Sequence, residues 1–329
     1  MPTHPLIDPG EVRFFSGSSN RSLAEAIARS LNLRLEDTLI TRFSNDNLYI
    51  QLGASVRSRA VFIVQSLTPP VNDHLMELLM MLDIARSAAA REIHAVIPYF
   101  SFARSDKKDA PRISITARLV ADLIERAGAT HVMTMTLHSP QVHGFFSIPT
   151  DPLTARFLFT KYFRKRDLSH TIVVAPDSGG AKSTARFANS LGLPNAYGNK
   201  ERLSDSQVRI ADLMGHSISG YKRAIIYDDE IATGGSVVEL SRILIEGGVE
   251  EIWVSCTHGV FTGRAFERLA RVPQITEIVT TDTVDIPEER RPRNLRILSV
   301  APIFGDAIRR NYSRMSIGGL FDFGRDEKI

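Results

Sequence analysis

Short apolar runs rich in β-branched and aromatic residues alternate along the chain with longer segments whose apolar positions recur every three or four residues. The runs are "AVFIVQS" (60–66), "EIHAVIPYF" (92–100), "HVMTMTLH" (131–138), "TIVVAPD" (171–177), "RAIIYDDE" (223–230) and "EIWVSC" (251–256). Near-continuous hydrophobicity of this kind suits parallel strands covered on both faces. The periodic segments are "SLAEAIARSLN" (22–32), "HLMELLMMLDIARSAAA" (74–90), "ITARLVADLIERAG" (115–128), "AKSTARFANSLG" (181–192) and "SVVELSRILIEGG" (236–248), each of which predicts a helix. Strands alternating with helices predict an α/β fold with mostly parallel sheets. The segment "HGFFSIPTDPL" (143–153) carries two prolines and no period, which places a domain boundary near residue 150. Two domains are expected, 1–152 and 153–329, with the last residues packing back on the first.

The composition agrees with two globular cores. The 329 residues are 43% hydrophobic and 23% charged, a length better suited to two domains than to one. A net charge of +3, from 40 basic and 37 acidic residues, is too mild and too scattered to argue for nucleic acid. The single cysteine, Cys256 in the apolar run "IWVSC", reads as a small buried hydrophobe in a chain from a reducing compartment. No stretch approaches a membrane span, and "MPTHPLIDPGEV" lacks an apolar signal core, so a cytoplasmic location is expected.

Chemistry concentrates where strands end, which in open parallel sheets is where ligands bind. "IIYDDE" runs directly into "IATGGSVVEL", a strand, a tight turn and a helix. Gly234 and Gly235 allow close backbone approach to an anion, with Thr233 and Ser236 adding hydroxyl donors. Acids beside such a loop repel an anion unless they serve another part of the ligand. They can accept from sugar hydroxyls or hold Mg²⁺, and a sugar phosphate satisfies both halves of the motif. "VAPDSGGAKSTARF" repeats strand, acid, glycines and helix, but Ala181 separates Gly180 from Lys182, so the Walker A spacing fails. Asp177 there is either an ion ligand or a helix cap. His138, at the end of "MTMTLH", is either structural or a partner in a divalent site. "YFSFARSDKKDAPR" (99–112) sets Arg104, Lys107, Lys108 and Arg112 after a strand, as solvated surface or as a polyphosphate clamp. "GNKERLSDSQVR" (198–209) is polar and aperiodic, so Lys200 and Arg202 are expected on a mobile flap rather than in a packed element.

Taken in order, "RFFSGSSN", "QSLTPPVNDHLMELLMMLDIARSAAAREIHAVIPYFSFARSDKKDAPR", "TLHSPQVHGFFSIPTDPL", "APDSGGAK", "NKER", "YDDEIATGGS" and "CTHGVFTG" resemble the ribose-phosphate diphosphokinase, or phosphoribosyl pyrophosphate (PRPP) synthetase, family over nearly the whole chain. The resemblance implies two tandem phosphoribosyltransferase-like domains, the first on the ATP side and the second on the ribose 5-phosphate side. It implies a dimer-based homo-oligomer, commonly a hexamer, and Mg²⁺-dependent transfer of the diphosphoryl group of ATP to the C1 hydroxyl of ribose 5-phosphate. By position, Asp228 and Asp229 would bind the ribose hydroxyls, and Ala232, Thr233, Gly234, Gly235 and Ser236 would form the phosphate loop. His138 and Asp177 would belong to the metal site, and Lys200 and Arg202 would be the catalytic cations. Phe43 would stack on adenine from a neighbouring subunit, with Asn45, Asn47, Arg104, Ser105 and Asp106 completing the ATP contacts.

The chain departs from the family pattern at several of these positions. Asn45 and Asn47 replace two carboxylates near the base, and an amide both donates and accepts where an ionised carboxylate only accepts. Thr136 and Ser147 replace acids, Ser105 replaces Gln, and Ala232 stands where Asp is common. Fewer acids should weaken a second Mg²⁺ more than the first. Two alternatives fit the same residues: a catalytically silent regulatory homologue, and a diphosphokinase with altered nucleotide or sugar-phosphate choice.

Overall fold

The computed structural model describes residues 7–202 and 208–321, with backbone alone over 200–202 and 208–211. The chain divides into two compact units. The first holds the described residues up to Thr154, Thr283–Asp285 and those from Ser299; the second holds Ala155–Asp282 and Ile286–Leu298.

In the first unit the elements run β1 (Val12–Ser16), α1 (Arg21–Ser30), β2 (Thr38–Arg42), β3 (Leu48–Leu52), β4 (Ala60–Val64), α2 (Val71–Ser87), β5 (Glu92–Ile97), α3 (Thr116–Ala127), β6 (His131–Met135) and β7 (Thr150–Leu153). Strands β1-β4-β5-β6-β7 form one sheet, in that order, with every pairing parallel. All five residues of β4 and of β6 are buried, as the unbroken apolar runs predicted for strands covered on both sides. α1 starts where the Asn20 side chain accepts from the Leu23 N–H, and it buries Leu23, Ala24, Ile27 and Ala28 along one stripe. α3 buries Ala117, Val120, Ala121 and Ile124 in the same manner. The hairpin β2–β3 is a separate two-stranded sheet whose pairing runs from Thr38 opposite Leu52 to Arg42 opposite Leu48.

The second unit contains α4 (Arg156–Phe163), β8 (Thr171–Ala175), α5 (Ala181–Leu191), β9 (Asn195–Arg202), β10 (Val208–Gly215), β11 (Arg223–Ile231), α6 (Gly235–Glu246), β12 (Glu251–Gly259), α7 (Ala265–Ala270), β13 (Ile275–Thr281) and β14 (Leu295–Leu298). Its sheet has the order β10-β9-β8-β11-β12-β13-β14 and is parallel except for the edge strand β10, which runs antiparallel to β9. A core of Ile172, Val174, Ile226, Leu240, Val254 and Phe261 fills one side. The last helix, α8 (Ala301–Tyr312), returns to the first unit, where Gly305 lies against Ser30 and Arg309 Nη2 donates to the Ser30 carbonyl at 3.0 Å. An isolated antiparallel bridge joins Phe321 to Leu153. Among the described residues no helix is long and apolar enough to cross a membrane.

The expectation that Lys200 and Arg202 lie outside a packed element is corrected for their backbones. The backbones of Lys200 and Arg202 lie in β9, with Lys200 opposite Ile210 and Arg202 opposite Val208. The edge strand β10 pairs on one side only, and an edge position tolerates polar residues, so an apolar period is not required there. The side chains of Lys200 and Arg202, and residues 203–207, lie outside the described residues.

At the N-terminal ends of β5 to β7, residues far apart in sequence form a buried polar chain. His131 Nε2 lies 2.9 Å from Asp151 Oδ2, and its Nδ1 lies 3.0 Å from His94 Nδ1. The His94 ring stacks on Phe62 with centroids 4.2 Å apart. Burial, and then the charge of His131, lower the His94 pKa from 6.5 to about 3. The unfolded chain therefore takes up a proton below about pH 6.5 that the folded chain refuses until about pH 3. This contribution to stability is present above pH 6.5 and is lost as the pH falls, at up to about 1.4 kcal/mol per pH unit. Stability measured by urea denaturation should have a shallower acid limb in His94→Gln than in the natural chain, whereas parallel limbs would refute the assignment.

Candidate active site

Strand β11 carries the acids. Asp228 and Glu230 stand opposite Cys256 and His258 of β12, so the triplet Asp228–Asp229–Glu230 lies inside the sheet rather than in the loop beyond it. The Asp229 N–H donates to Asp228 Oδ1 at 2.9 Å. Burial raises the Asp228 pKa well above the usual carboxylate range, and the charges of Asp229 and Asp177 push it further in the same direction. Opposed carboxylates at a strand end are costly to fold and are ready to accept from hydroxyls or to meet a cation. Asp228→Asn should therefore raise the melting temperature of the protein at neutral pH while weakening sugar-phosphate binding; a lower melting temperature would refute the electrostatic account.

Beyond Ile231 the chain turns through Ala232, Thr233 and Gly234 into α6. Gly234 has φ +73°, a conformation that favours glycine, and a Cβ there would also touch Leu269 at 3.4 Å. Gly234→Ala should cost about 1 kcal/mol of stability through the backbone alone, and an undisturbed melting temperature would count against that strain. Among the described residues, the N–H groups of Thr233, Gly234, Gly235 and Ser236 have no protein acceptor. The same holds for the hydroxyls of Thr233 and Ser236. These donors at the N-terminus of a 12-residue helix form a ready anion cradle.

Asp177 does not cap α5, whose N-cap Gly180 has no side-chain cap bond; it shapes the turn before that helix. Asp177 Oδ1 accepts from the N–H groups of Gly179 (2.9 Å) and Gly180 (3.3 Å). The same carboxyl acts electrostatically on Asp228, so the turn does not remove it from the acid cluster. On the neighbouring helix, the Thr184 hydroxyl donates to the Tyr227 carbonyl at 3.5 Å.

On the first unit, Phe43 opens the β2–β3 turn and is 57% exposed, with an edge contact to Tyr49 at 5.6 Å. An exposed aromatic at a hairpin tip is a stacking platform without a cover. Asn45 Oδ1 accepts from the Asn47 N–H at 3.3 Å, and Asp46 is held by Arg42. The amide oxygen of Asn45 thus stabilises the turn. Arg104 ends a short 3₁₀ turn after β5 and is exposed, while Ser105 and Asp106 are half-buried. His138 lies beyond β6, which is shorter than predicted and ends at Met135, because Thr136 adopts φ +40°. His138 is exposed. Thr136 is half-buried and Ser147 exposed, and the Ser147 N–H donates to Glu125 Oε1. Among the described residues no three His, Cys, Asp or Glu side chains are gathered into a metal-binding group.

Sequence reasoning missed the support of the glycine turn. The segment 261–268 holds it through Phe261, Thr262 and Arg268, and Arg290 Nη2 in turn binds the Phe261 carbonyl at 2.6 Å. "CTHGVFTG" signalled that something follows β12, but not its target.

A mostly parallel sheet whose strand β11 carries acids and ends in a glycine turn, with a helix behind it, defines an α/β protein with its candidate ligand site at the strand ends. The N-terminal domain model of ribose phosphate pyrophosphokinase matches residues 12–128, and the phosphoribosyl synthetase-associated domain matches residues 212–322. A ribose-phosphate pyrophosphokinase of Deinococcus radiodurans is 46% identical over 93% of this chain and 97% of its own length. One from Aquifex aeolicus is 42% identical over 94% and 99%. The crystal structure of phosphoribosylpyrophosphate synthetase from Mycobacterium smegmatis superposes with a TM-score of 0.86 at 34% identity, covering 92% of this chain and 99% of that one. The chain belongs to the ribose-phosphate pyrophosphokinase family, and it is an enzyme of PRPP synthesis.

Proposed function

We propose that this enzyme uses MgATP as donor and transfers its β,γ-diphosphoryl group to the anomeric hydroxyl of ribose 5-phosphate, releasing AMP. The observation that carries the assignment of the sugar site is the row of unpartnered donors at Thr233–Ser236 next to the acid pair in β11. The loop takes the 5-phosphate, Asp228 and Asp229 accept from the ring hydroxyls, and carbon one is left as the reacting end. Phe43, Asn45, Asn47, Arg104, Ser105 and Asp106 take the nucleotide. Lys200 and Arg202 meet the charge that develops on the diphosphoryl group.

Diphosphoryl transfer depends on alignment and charge neutralisation rather than on a covalent nucleophile, so no Ser–His–Asp set is needed. Burial and the charges of Asp229 and Asp177 raise the Asp228 pKa, and a divalent ion beside these carboxylates would relieve that repulsion. Asp177 is the residue that would hold Mg²⁺, which when bound would neutralise diphosphate charge. The absence of acids at Thr136 and Ser147 leaves fewer ligands for a second ion.

The test is sugar-dependent release of nucleoside monophosphate by the purified protein with Mg²⁺, ribose 5-phosphate and a panel of nucleoside triphosphates. AMP release only when the sugar is present is expected. Absence of monophosphate with every donor would overturn the reading. A donor other than ATP giving the highest kcat/KM would overturn the ATP assignment alone, and would direct attention to Asn45 and Asn47.

A further inference from the structure

The peptide group is planar and trans, so a carbonyl and the N–H of the next residue point in opposite directions. Three successive carbonyls at the end of β11 are all held from one side. Ile231 accepts from the Phe261 N–H at 3.0 Å, Ala232 from the Thr262 N–H at 2.8 Å, and Thr233 from Arg268 Nη1 at 2.7 Å. The N–H groups of Ala232, Thr233 and Gly234 are therefore turned away from the 261–268 segment, to the side where an anion is received. Two of the three bonds come from the backbone. The third comes from a side chain, and it holds the peptide most able to flip, because Gly234 tolerates either orientation.

Arg268 is exposed, and among the described residues no carboxylate lies within ion-pair distance of it. Its Nη1 is 3.8 Å from the point where a Cβ on Gly235 would sit, so an uncompensated guanidinium charge stands directly behind the cradle. A planar fork suits this double task, because one N–H can hold the carbonyl while the charge remains delocalised over the others.

The geometry points to Arg268 as a positioning and specificity residue for the phosphomonoester of the sugar. It locks the Thr233–Gly234 peptide with its N–H toward the phosphate, and it biases the loop toward a dianion. The inference rests on the assignment of Thr233–Ser236 to the 5-phosphate, and the experiment separates the two.

Steady-state kinetics of Arg268→Ala, Arg268→Gln and Arg268→Lys, with both substrates varied, are compared with those of Thr233→Ala and Ser236→Ala. Arg268→Ala should raise KM for ribose 5-phosphate ~10-fold or more, the scale of a lost charge-assisted bond, with kcat and KM for the nucleotide within about threefold. Arg268→Lys should recover most of that loss and Arg268→Gln little of it. An unchanged KM for the sugar in Arg268→Ala, or parallel losses for both substrates, would overturn the proposal. If Arg268→Ala does not fold, the contrast between Lys and Gln decides: equal behaviour overturns it. If the Thr233 and Ser236 variants also leave the sugar KM untouched, the loop assignment itself fails. If they raise it while the Arg268 variants do not, only the role of Arg268 falls.

Discussion

Lys200→Ala is expected to lower kcat by roughly 10²–10³-fold while leaving the affinity for ribose 5-phosphate nearly intact. The size is that of removing one preorganised donor from a developing charge. The reasoning is differential binding: a cation that engages the diphosphoryl group as charge shifts stabilises the transition state and not the sugar-bound ground state. Placement of the Lys200 backbone in β9 strengthens the argument, because a paired ribbon restricts where the residue can be carried more than an unstructured flap would. The measurement is kcat from sugar-dependent AMP release, set against calorimetric binding of ribose 5-phosphate in the absence of nucleotide. Equal losses of turnover and sugar affinity would show that Lys200 belongs to the sugar site.

Asp229→Ala is expected to raise the KM for ribose 5-phosphate by about 10–100-fold, the cost of losing hydrogen bonds to a charged acceptor. The same substitution removes the larger of the two charges acting on the Asp228 carboxyl. Folding raises the Asp228 pKa, so its ionised form is disfavoured in the folded chain. That cost is present at neutral pH and relieved as the pH falls through the carboxylate range. Losing Asp229 therefore stabilises the ligand-free protein at neutral pH even as it weakens binding, and thermal denaturation should give a higher melting temperature. An unchanged sugar KM would remove Asp229 from the ribose site. A lower melting temperature would show that its other interactions outweigh the repulsion. This opposition between stability and binding is expected where like charges are gathered for a ligand.

The departures at Asn45 and Asn47 bear on the donor side. Asn45 spends its amide oxygen on the Asn47 N–H, which leaves its amide N–H₂ as the group to offer a base. The resemblance implies an acid at that position, which only accepts when ionised, whereas Asn45 would offer the base a donor. The nucleotide panel reads this difference directly.

Much of this protein was legible in its residues because hydrophobic periodicity is local: it reports which faces of an element are covered, whatever covers them. The buried runs of β4, β6, β8 and β11, the stripes of α1 and α3, and the junction from Asp228 to Ser236 could all be read that way, and the glycine turn was visible because Gly234 needs a left-handed backbone. What covers each face is a long-range matter, which local patterns do not encode. Only the tertiary structure made β10 an antiparallel edge, put Lys200 on a strand and returned α8 to the first unit. It also joined His94, His131 and Asp151 from three strands, and brought Arg268 to the Thr233 carbonyl across 35 residues of sequence. A bond between distant residues leaves no period behind it, so the groups that hold the Thr233–Gly234 turn emerged only when the chain was folded.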